Sequence, residues 1–471
     1  MRYISTRGEA PPVSFTDALM IGLAHDGGLY VPEAWPALSR ETIASFAGRP
    51  YADVAFEVIR PLIGGAIADA DLSRMIREAY AAFDRPEVAP LHDLGANEFV
   101  LELFHGPTLA FKDVAMQLVA RMMDHVLAQR GARATIVVAT SGDTGGAAVE
   151  AFRGRKRMDV VVLFPKGRVS DVQRRMMTTA ADANVHALAI DGTFDDCQAI
   201  VKALFNDQAF RERVKLSSVN SINWARIAAQ AVYYFTAAAA LGGPAKAVTF
   251  VVPTGNFGDI FAGYAAKRMG LAAERLVIAT NVNDILARTL ATGCYELRGV
   301  VATSSPAMDI QVSSNFERLL FEAYGREAAS VRALMQALAD EKGFSIGRAA
   351  LDAIRTDFEA GRADENETRA TIREVHRASG YLLDPHGAVG LAVARKRGHR
   401  GRSPVVVLGT AHPAKFPEAV EAATGFRPQL PVSLSNLMTL PERATALPAD
   451  KEKIVKFITE QSRAATSGAI A

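Results

Sequence analysis

Cysteine is nearly absent from this sequence. Only Cys197 and Cys294 occur among 471 residues. Two cysteines build neither a disulfide framework nor a thiolate metal cluster, so a reducing compartment is expected and we predict a cytoplasmic protein. The nine histidines are scattered and include no His-Glu-x-x-His motif, which predicts that no metal is bound.

A dominant charge and a long hydrophobic run are also missing. There are 53 Lys+Arg against 51 Asp+Glu, a formal net charge of +2. This balance gives no general reason to bind nucleic acid or an anionic membrane. The most apolar run, residues 227–241, is shorter than the roughly 20 residues that cross a bilayer and is interrupted by Gln230 and Thr236. It predicts a buried core helix.

What the sequence does contain is enough apolar material for a large core. Hydrophobic residues make up 49% and charged residues 22%, which excludes intrinsic disorder. At roughly 150 residues per domain, the length indicates about three domains or lobes. The first 95 residues read mostly as helices joined by loops rich in Gly and Pro, with few strand signals. We therefore predict an N-terminal extension over 1–95 that packs on a second region, 96–471.

From residue 99 onward, short apolar runs rich in β-branched residues alternate with helical stretches. The runs are residues 135–139, 160–164, 185–190, 248–252, 276–280 and 405–408. This alternation predicts an α/β fold whose mainly parallel sheet is covered by helices on both faces. Ligands of such sheets bind beyond the carboxyl ends of the strands, so the turns after these runs are the candidate sites. Residues 316–379 are predicted to form a solvated helical layer.

The turn after 248–252 is rich in glycine and precedes a predicted helix. It reads Gly255, Asn256, Phe257, Gly258 and Asp259. A strand, a turn and a helix start direct backbone N–H groups at one point, which favours an anion and above all a phosphate. The turn contains no lysine and lacks the Gly-x-Gly-x-x-Gly spacing, so we expect a small phosphorylated ligand rather than a nucleoside triphosphate. An ordinary tight turn is the alternative.

A second turn follows 135–139 and also leads into a predicted helix. It contains Ser141, Gly142, Asp143 and Thr144. Its hydroxyls and N–H groups could hold the carboxylate of a substrate. The alternative is a helix N-cap, for which Ser, Thr and Asp are all favoured residues.

Lys112 stands between the apolar run Leu109-Ala110-Phe111 and a helix predicted over 114–127. Burial disfavours the charged form of a lysine and so lowers its pKa. A neutral amine is what Schiff-base formation or proton abstraction requires. The alternative is a lysine at a helix start that extends to water.

Two further turns carry polar side chains. Thr410 follows the run 405–408, with an ordinary turn as the alternative. Asp384 and His386 could form an acid/base pair, or an Asp-Pro turn with a hydrogen-bonded histidine.

Taken together and in this order, these segments resemble the threonine synthases, pyridoxal-phosphate enzymes of fold type II in the tryptophan-synthase-β-like group. Three further segments share the resemblance: residues 26–32, 164–170 and 221–226. The resemblance spans about residues 26–416 and points to the long subtype of bacteria and fungi. It implies two α/β lobes with mainly parallel sheets, the cofactor in the cleft, and a mostly helical N-terminal extension.

The resemblance also implies roles for individual residues. Lys112 matches the lysine that forms the Schiff base with the cofactor, and Thr410 matches the residue that hydrogen-bonds the pyridine nitrogen. The loop that holds the cofactor's phosphate is matched by Gly255, Asn256, Phe257, Gly258 and Asp259. The loop that embraces the substrate carboxylate and the cofactor's ring oxygen is matched by Ser141, Gly142, Asp143 and Thr144. An Asn often stands at the position of Asp143 in the wider superfamily; an Asp there has to accept or share the phenolic proton.

The implied reaction converts O-phospho-L-homoserine and water to L-threonine and phosphate, with Lys112 as the base. The substrate phosphate needs a site of its own. We predict Lys166, Arg168 and Arg226 for it, because guanidinium groups bind phosphate through two hydrogen bonds. For Lys166 and Arg168 the alternative is a solvated loop. The expected partner is this small substrate, and the expected assembly is a monomer or a homodimer.

Two other functions stay open from the sequence. A phospholyase or an amino-acid dehydratase on the same fold would keep the cofactor and release a keto acid. A non-catalytic protein that binds pyridoxal phosphate is the second alternative, and the presence of Lys112 argues against it.

Overall fold

The computed structural model describes residues 1–398 and 403–466. Within these ranges the strands are β1 (Arg2–Ser5), β2 (Val13–Ser14), β3 (Tyr30–Pro32), β4 (Leu91–Gly95), β5 (Glu98–Glu102), β6 (Ala134–Ala139), β7 (Met158–Pro165), β8 (Val185–Asp191), β9 (Leu216–Ser217), β10 (Val248–Pro253), β11 (Ala273–Thr280), β12 (Cys294–Glu296), β13 (Gly343–Ser345), β14 (Phe358–Arg362), β15 (Val405–Gly409) and β16 (Thr445–Pro448). The α-helices are α1 (Phe15–Ile21), α2 (Arg40–Ala44), α3 (Tyr51–Ile63), α4 (Asp69–Tyr80), α5 (Lys112–Gln129), α6 (Asp143–Phe152), α7 (Asp171–Thr178), α8 (Phe194–Asn206), α9 (Gln208–Val214), α10 (Trp224–Ala240), α11 (Gly258–Arg268), α12 (Ile285–Thr292), α13 (Phe316–Ala323), α14 (Ala328–Glu341), α15 (Arg348–Asp357), α16 (Glu365–Ser379), α17 (Pro385–Lys396), α18 (Pro417–Thr424), α19 (Lys451–Gln461) and α20 (Arg463–Thr466).

The chain divides into two compact units. The first unit consists of Met1–Ala18, Leu23–Phe111 and Ser221–Pro428. The second unit consists of Leu19–Gly22, Lys112–Asn220 and Gln429–Ala471. This division follows backbone contacts, whereas the predicted boundary between 1–95 and 96–471 follows sequence pattern and stays a prediction.

The second unit is built on a five-stranded, all-parallel sheet in the order β16-β8-β7-β6-β9. Strands β6, β7 and β8 confirm the runs predicted at 135–139, 160–164 and 185–190. Every residue of β7 is buried, as expected for a parallel strand covered on both faces. One face packs on α8 and α19 through an apolar cluster that includes Val137, Val161, Leu188, Leu204 and Ile458.

The first unit contains a six-stranded sheet in the order β14-β11-β10-β15-β5-β4. Its strands are parallel except for the edge strand β4, which runs antiparallel to β5. Strands β10, β11 and β15 confirm the other three predicted runs. Val251, Val277 and Val407 of the sheet pack with Leu391 and Val393 of α17. The α/β class with mainly parallel sheets is thus confirmed.

The apolar stretch 227–241 forms α10, which confirms the predicted core helix. Nearly every residue of α10 is buried. Across the described residues, no helix combines the length and the apolar character that crossing a membrane requires.

One sequence prediction about strands and solvent exposure was wrong, and another was incomplete. Residues 316–379 were predicted to be a solvated helical layer, yet β14 pairs in parallel with β11 as an edge of the six-stranded sheet. Its sequence, Phe-Glu-Ala-Gly-Arg, lacks β-branched residues and so gave no strand signal. Helix α13 is mostly buried rather than solvated. Residues 1–95, read as mostly helical, also hold a three-stranded antiparallel sheet in the order β2-β1-β3, whose strands of two to four residues are too short to show a pattern.

Candidate active site

Lys112 is the first residue of α5 in the second unit. It is 9% exposed, so it lies buried rather than extending to water. Its Nζ lies 3.5 Å from Oδ2 of Asp143, which is 8% exposed. The second unit thus brings together the predicted cofactor lysine and one residue of the predicted substrate loop.

The turn between β6 and α6 fixes Asp143 at the first position of the helix. The hydroxyl of Thr140 accepts hydrogen bonds from the N–H groups of Gly142 and Gly145, both at 2.9 Å. Gly142 is the N-cap, has a φ of 142°, and forms no side-chain cap. The Thr140 hydroxyl thus satisfies an N–H group of the first turn of α6, so the helix-capping alternative holds for Thr140. Ser141 in the same turn is exposed, where a ligand can reach its hydroxyl.

Gln173, on α7, holds the other oxygen of Asp143. Its Nε2 donates to Asp143 Oδ1 at 2.9 Å, while Ser170 Oγ donates to Gln173 Oε1 at 3.1 Å. A Cβ atom at Gly142 would lie 2.5 Å from Cδ of Gln173 and would displace that side chain, and the φ of 142° is one that residues other than glycine rarely adopt. Gln173 was not predicted from the sequence, although it lies in the first turn of α7, directly after the segment 164–170. An N–H donor to a carboxylate favours the ionised form of that carboxylate.

The predicted phosphate loop lies in the first unit, between β10 and α11. Phe257 has a φ of 64° and stands at the N-cap without a side-chain cap. The first N–H groups of a helix have no partner inside the helix, and its N-terminus favours an anion. A Cβ atom at Gly255 would lie 2.5 Å from the carbonyl oxygen of Ala307, so a side chain is excluded at this position.

The carbonyl groups of the same loop are engaged elsewhere. Gly255 O accepts from Ser313 Oγ at 2.6 Å. Asn256 O accepts from both the backbone N–H and the Nδ2 of Asn315, at 3.0 Å and 2.8 Å. The carbonyl groups of Gly255 and Asn256 are thus hydrogen-bonded within the protein, and no side chain at Gly255 covers the backbone N–H groups. Such a loop fits the phosphate group of a cofactor such as pyridoxal phosphate.

Asp259, the last residue of the predicted loop, directs its side chain away from a phosphate. Its Oδ1 accepts from the hydroxyl of Tyr234 at 3.0 Å and from that of Tyr233. Burial raises the pKa of Asp259 to about 6, while the two tyrosine hydroxyls and the charge of Arg226 oppose the rise. A phosphate at this loop therefore has the backbone N–H of Asp259 to bind, not its carboxylate.

The candidates for the substrate phosphate lie in different units. Arg226 is on α10 in the first unit, 3% exposed, and its burial lowers the pKa to about 10. Lys166 follows directly on β7 in the second unit, is exposed, and places its Nζ 3.1 Å from Asp191 Oδ1. Arg168 is exposed as well. Their proposed joint role stays a prediction.

Thr410 follows β15, as predicted, and is 6% exposed. Its carbonyl accepts from the N–H of Phe111 at 2.9 Å, and Ala110 forms a bridge to Ala411. The first unit thus joins Thr410 to the residue directly before Lys112. The hydroxyl of Thr410 has no hydrogen-bond partner among the described residues, which leaves it available to a ligand.

Lys415 is a buried lysine that was not predicted from the sequence. It is 1% exposed, and its Nζ donates to the carbonyl of Thr108 at 2.8 Å. It supports the segment that leads to Lys112. The one sequence signal for Lys415 was its position in the segment 409–416, which also contains Thr410.

Asp384 and His386 form a capped turn. Asp384 caps α17 by accepting from the N–H groups of His386 and Gly387, and its Oδ1 lies 2.8 Å from Nδ1 of His386. Nε2 of His386 accepts from the N–H of Ala307 at 3.3 Å. Both ring nitrogens are engaged and the pair is buried, so the structure supports the hydrogen-bonded turn rather than the acid/base pair.

Three protein families match successive parts of the chain. The family "Threonine synthase N terminus" matches residues 2–80, "Pyridoxal-phosphate dependent enzyme" matches 86–411, and "Threonine synthase, C-terminal" matches 387–458. The second of these alone covers more than half of the chain.

Individual proteins match over nearly the full length. The threonine synthase of Pseudomonas aeruginosa is 52% identical over 461 residues, which cover 98% of both chains. The crystal structure of threonine synthase with bound pyridoxal phosphate from Brucella melitensis superimposes with a TM-score of 0.96 at 61% identity, covering 98% of this chain and 100% of that one. The yeast threonine synthase structure gives a TM-score of 0.92 at 41% identity and covers 98% of both chains. The chain therefore belongs to the threonine synthases, pyridoxal-phosphate-dependent enzymes of fold type II.

Proposed function

We propose that this chain converts O-phospho-L-homoserine and water to L-threonine and inorganic phosphate. The observation that carries the proposal is the buried amine of Lys112, 3.5 Å from a carboxylate oxygen of Asp143. A buried lysine beside a carboxylate is the arrangement that a covalent cofactor lysine and proton carrier needs. Membership of the threonine synthases supplies the reaction, and the cofactor is pyridoxal 5′-phosphate.

When bound, pyridoxal phosphate supplies an electron-withdrawing ring that stabilises negative charge on substrate carbons. We propose that the backbone N–H groups of Gly255, Asn256, Phe257, Gly258 and Asp259 hold its phosphate. The hydroxyl of Thr410 hydrogen-bonds its ring nitrogen. A neutral hydroxyl leaves that nitrogen largely unprotonated, whereas a carboxylate partner would favour protonation.

Lys112 is the proposed base. Its Nζ takes the α-proton of the substrate and moves protons at the β and γ carbons, so that phosphate leaves from the γ carbon and water adds at the β carbon. Burial favours the neutral amine, whereas the carboxylate of Asp143 favours the ammonium form. These opposing influences suit a group that must both accept and release a proton.

The turn at the start of α6 is proposed to bind the substrate carboxylate. Ser141, Gly142 and Thr144 offer hydroxyl and N–H donors there, and Asp143 would face the ring oxygen of the bound cofactor. Lys166 and Arg226 are proposed for the substrate phosphate. Replacing either by Ala should lower kcat/KM for phosphohomoserine more than kcat, because phosphate contacts made before the reaction act mainly on binding. Unchanged kcat/KM in both variants contradicts this assignment.

We further propose a cytoplasmic location and a monomeric or homodimeric assembly. The support for the location is the pair of unbridged cysteines, of which Cys294 is exposed. Cell fractionation tests the location, and light scattering of the purified protein tests the assembly.

A product assay tests the reaction. Purified protein is incubated with pyridoxal phosphate and O-phospho-L-homoserine, and phosphate and amino acids are measured together. Equal amounts of phosphate and threonine support the proposal. Phosphate with 2-oxobutyrate and ammonia shows a phospholyase instead. Absence of phosphate release from protein with bound cofactor contradicts both reactions and directs the search to other amino acids.

A further inference from the structure

Arg318 is a charged side chain enclosed entirely within the first unit. It lies on α13 with 0% exposure. Its Nε donates to the carbonyl of Tyr30 at 3.0 Å, and its Nη2 donates to the carbonyl of Ile222 at 2.6 Å. Its Nη1 donates to Oδ1 of Asn315, and its guanidinium carbon lies 5.7 Å from the centroid of the Trp224 ring. One guanidinium therefore joins three separate segments of the chain.

Two of these segments share the resemblance to the threonine synthases, but they have no role in the proposed reaction. Tyr30 belongs to the segment 26–32, and Ile222 belongs to the segment 221–226. Neither partner is a carboxylate, and burial lowers the pKa of Arg318 to about 9. Burying a charge without a direct counter-charge is costly, and the hydrogen bonds of Arg318 to three segments offset that cost only while those segments are held in place.

Asn315 connects Arg318 to the phosphate loop. Its Oδ1 is held by Arg318, which orients the amide so that Nδ2 faces the loop. The Nδ2 then donates to Asn256 O at 2.8 Å, and the backbone N–H of Asn315 donates to the same oxygen at 3.0 Å. Asn315 is 0% exposed, so water does not replace these bonds.

We propose that Arg318 is a positioning residue for the loop that binds the cofactor's phosphate, acting through Asn315. Holding the carbonyl of Asn256 against Asn315 keeps the N–H groups of the loop free for the anion. The segment 26–32 supplies the carbonyl of Tyr30 as an anchor, so the N-terminal part of the chain contributes to cofactor binding. The inference rests on the proposed phosphate-binding role of the loop.

The test measures cofactor affinity rather than turnover. Protein freed of cofactor is titrated with pyridoxal phosphate and, separately, with pyridoxal, which lacks the phosphate; fluorescence gives both dissociation constants. Arg318→Met and Asn315→Ala should each raise the Kd for pyridoxal phosphate about tenfold, as expected when a buried hydrogen-bond network loses one member. The Kd for pyridoxal should stay within about twofold, since the loop contributes only through the phosphate. Arg318→Lys keeps the charge and should fall between the wild type and Arg318→Met.

Arg326 offers a matched control. It donates to the carbonyls of Pro32 and Glu33 at the end of the same N-terminal segment, at 2.5 Å and 2.6 Å, without a bond to Asn315. Arg326→Met should leave both dissociation constants within about twofold of the wild type. Asn315→Ala keeps Arg318 in place and provides a second test if Arg318→Met does not fold.

Two results overturn the inference. The first is that Arg318→Met and Asn315→Ala weaken the binding of pyridoxal as much as that of pyridoxal phosphate. The second is that Arg318→Met and Arg326→Met change the Kd for pyridoxal phosphate equally. A failure of the underlying proposal looks different. If the wild type itself binds pyridoxal as tightly as pyridoxal phosphate, the loop does not bind phosphate at all. If the wild type binds the cofactor through its phosphate but forms no threonine, the reaction is wrong while the role of Arg318 stands.

Discussion

Two turns in this molecule share a local pattern and differ in chemistry. Each follows a parallel strand and places a Gly-Asp pair at the start of a helix: Gly142-Asp143 before α6 and Gly258-Asp259 before α11. The N-cap residue of each helix, Gly142 or Phe257, forms no side-chain cap. From the sequence alone, both aspartates were predicted to belong to the site for similar reasons.

The partners of the two carboxylates differ. Asp143 lies between the Nζ of Lys112 at 3.5 Å and the Nε2 of Gln173 at 2.9 Å. Asp259 lies beside the hydroxyls of Tyr233 and Tyr234, and its burial raises its pKa to about 6. The first carboxylate lies beside the buried amine of the proposed cofactor lysine, and the second joins α11 to α10. What an aspartate does at a helix start is thus decided by partners far away in the sequence.

The largest loss of activity is expected from replacing Lys112, whose amine lies beside Asp143 of the first turn. Lys112→Ala should reduce threonine formation by at least about 10³-fold, since both a covalent and a proton-transfer role are lost. Initial rates of phosphate and threonine release measure it, with circular dichroism as a check on folding. Wild-type turnover in a folded Lys112→Ala protein would remove Lys112 from the mechanism.

A direct test exchanges each carboxylate for an amide. Asp143→Asn keeps the shape and removes the charge beside Lys112, so kcat should fall about 10²-fold. The pH–rate profile should also move, because the ammonium form of Lys112 loses its counter-charge. The matched control is Asp259→Asn, expected to keep kcat within about threefold. Equal losses in the two variants would abolish the distinction between the turns.

Substitutions of Gln173 should lower kcat less than Asp143→Asn does, and they test whether Gln173 positions the carboxylate of Asp143. Gln173→Met removes the donor to Oδ1 while keeping the volume, and we expect kcat to fall about tenfold, the size of one buried hydrogen bond. Gln173→Glu places a like charge beside Asp143 and should recover activity at lower pH, where a protonated Glu donates again. Ser170→Ala loses the bond to Gln173 Oε1 and the helix-capping bond from the N–H of Gln173, but keeps the donor to Asp143, and serves as the milder control. Wild-type pH profiles in all three variants would mean that Gln173 only fills space.

The sequence predicted the strands whose composition is itself a signal. Strands such as β7 and β10 are continuous β-branched runs, because both of their faces are buried. It missed β14, whose Phe-Glu-Ala-Gly-Arg sequence becomes a strand only through pairing with β11. Tertiary pairing there overrides weak local preference.

The site shows the same limit. Lys112 and both Gly-Asp turns were identified from local motifs and the resemblance they carry. The partners of the aspartates were not, because Gln173 lies 30 residues after Asp143 and Tyr233 lies 26 residues before Asp259. No local pattern records such separations, and only folding brings these side chains together.

Asp259→Asn should change the activity least. It should instead change how the free energy of unfolding depends on pH. The pKa of Asp259 in the folded protein is about 6, against an ordinary value of 3.8, so the folded state binds this proton more tightly than the unfolded state. The free energy of unfolding of the wild type should therefore fall as pH rises from about 4 to 6 and stay level above, by about 3 kcal/mol in total.

The Asn variant has no group to titrate at this position and keeps an acceptor for a tyrosine hydroxyl. Its stability relative to the wild type should therefore rise by about 2 kcal/mol between pH 4.5 and pH 7, the rest of the change lying below pH 4.5. Urea unfolding of the cofactor-free protein across this range measures the difference, with Asp143→Asn as the comparison. A difference that does not change with pH would show that the buried carboxylate of Asp259 is ionised without penalty. The distinction between the two turns would then rest on the partners of their carboxylates alone.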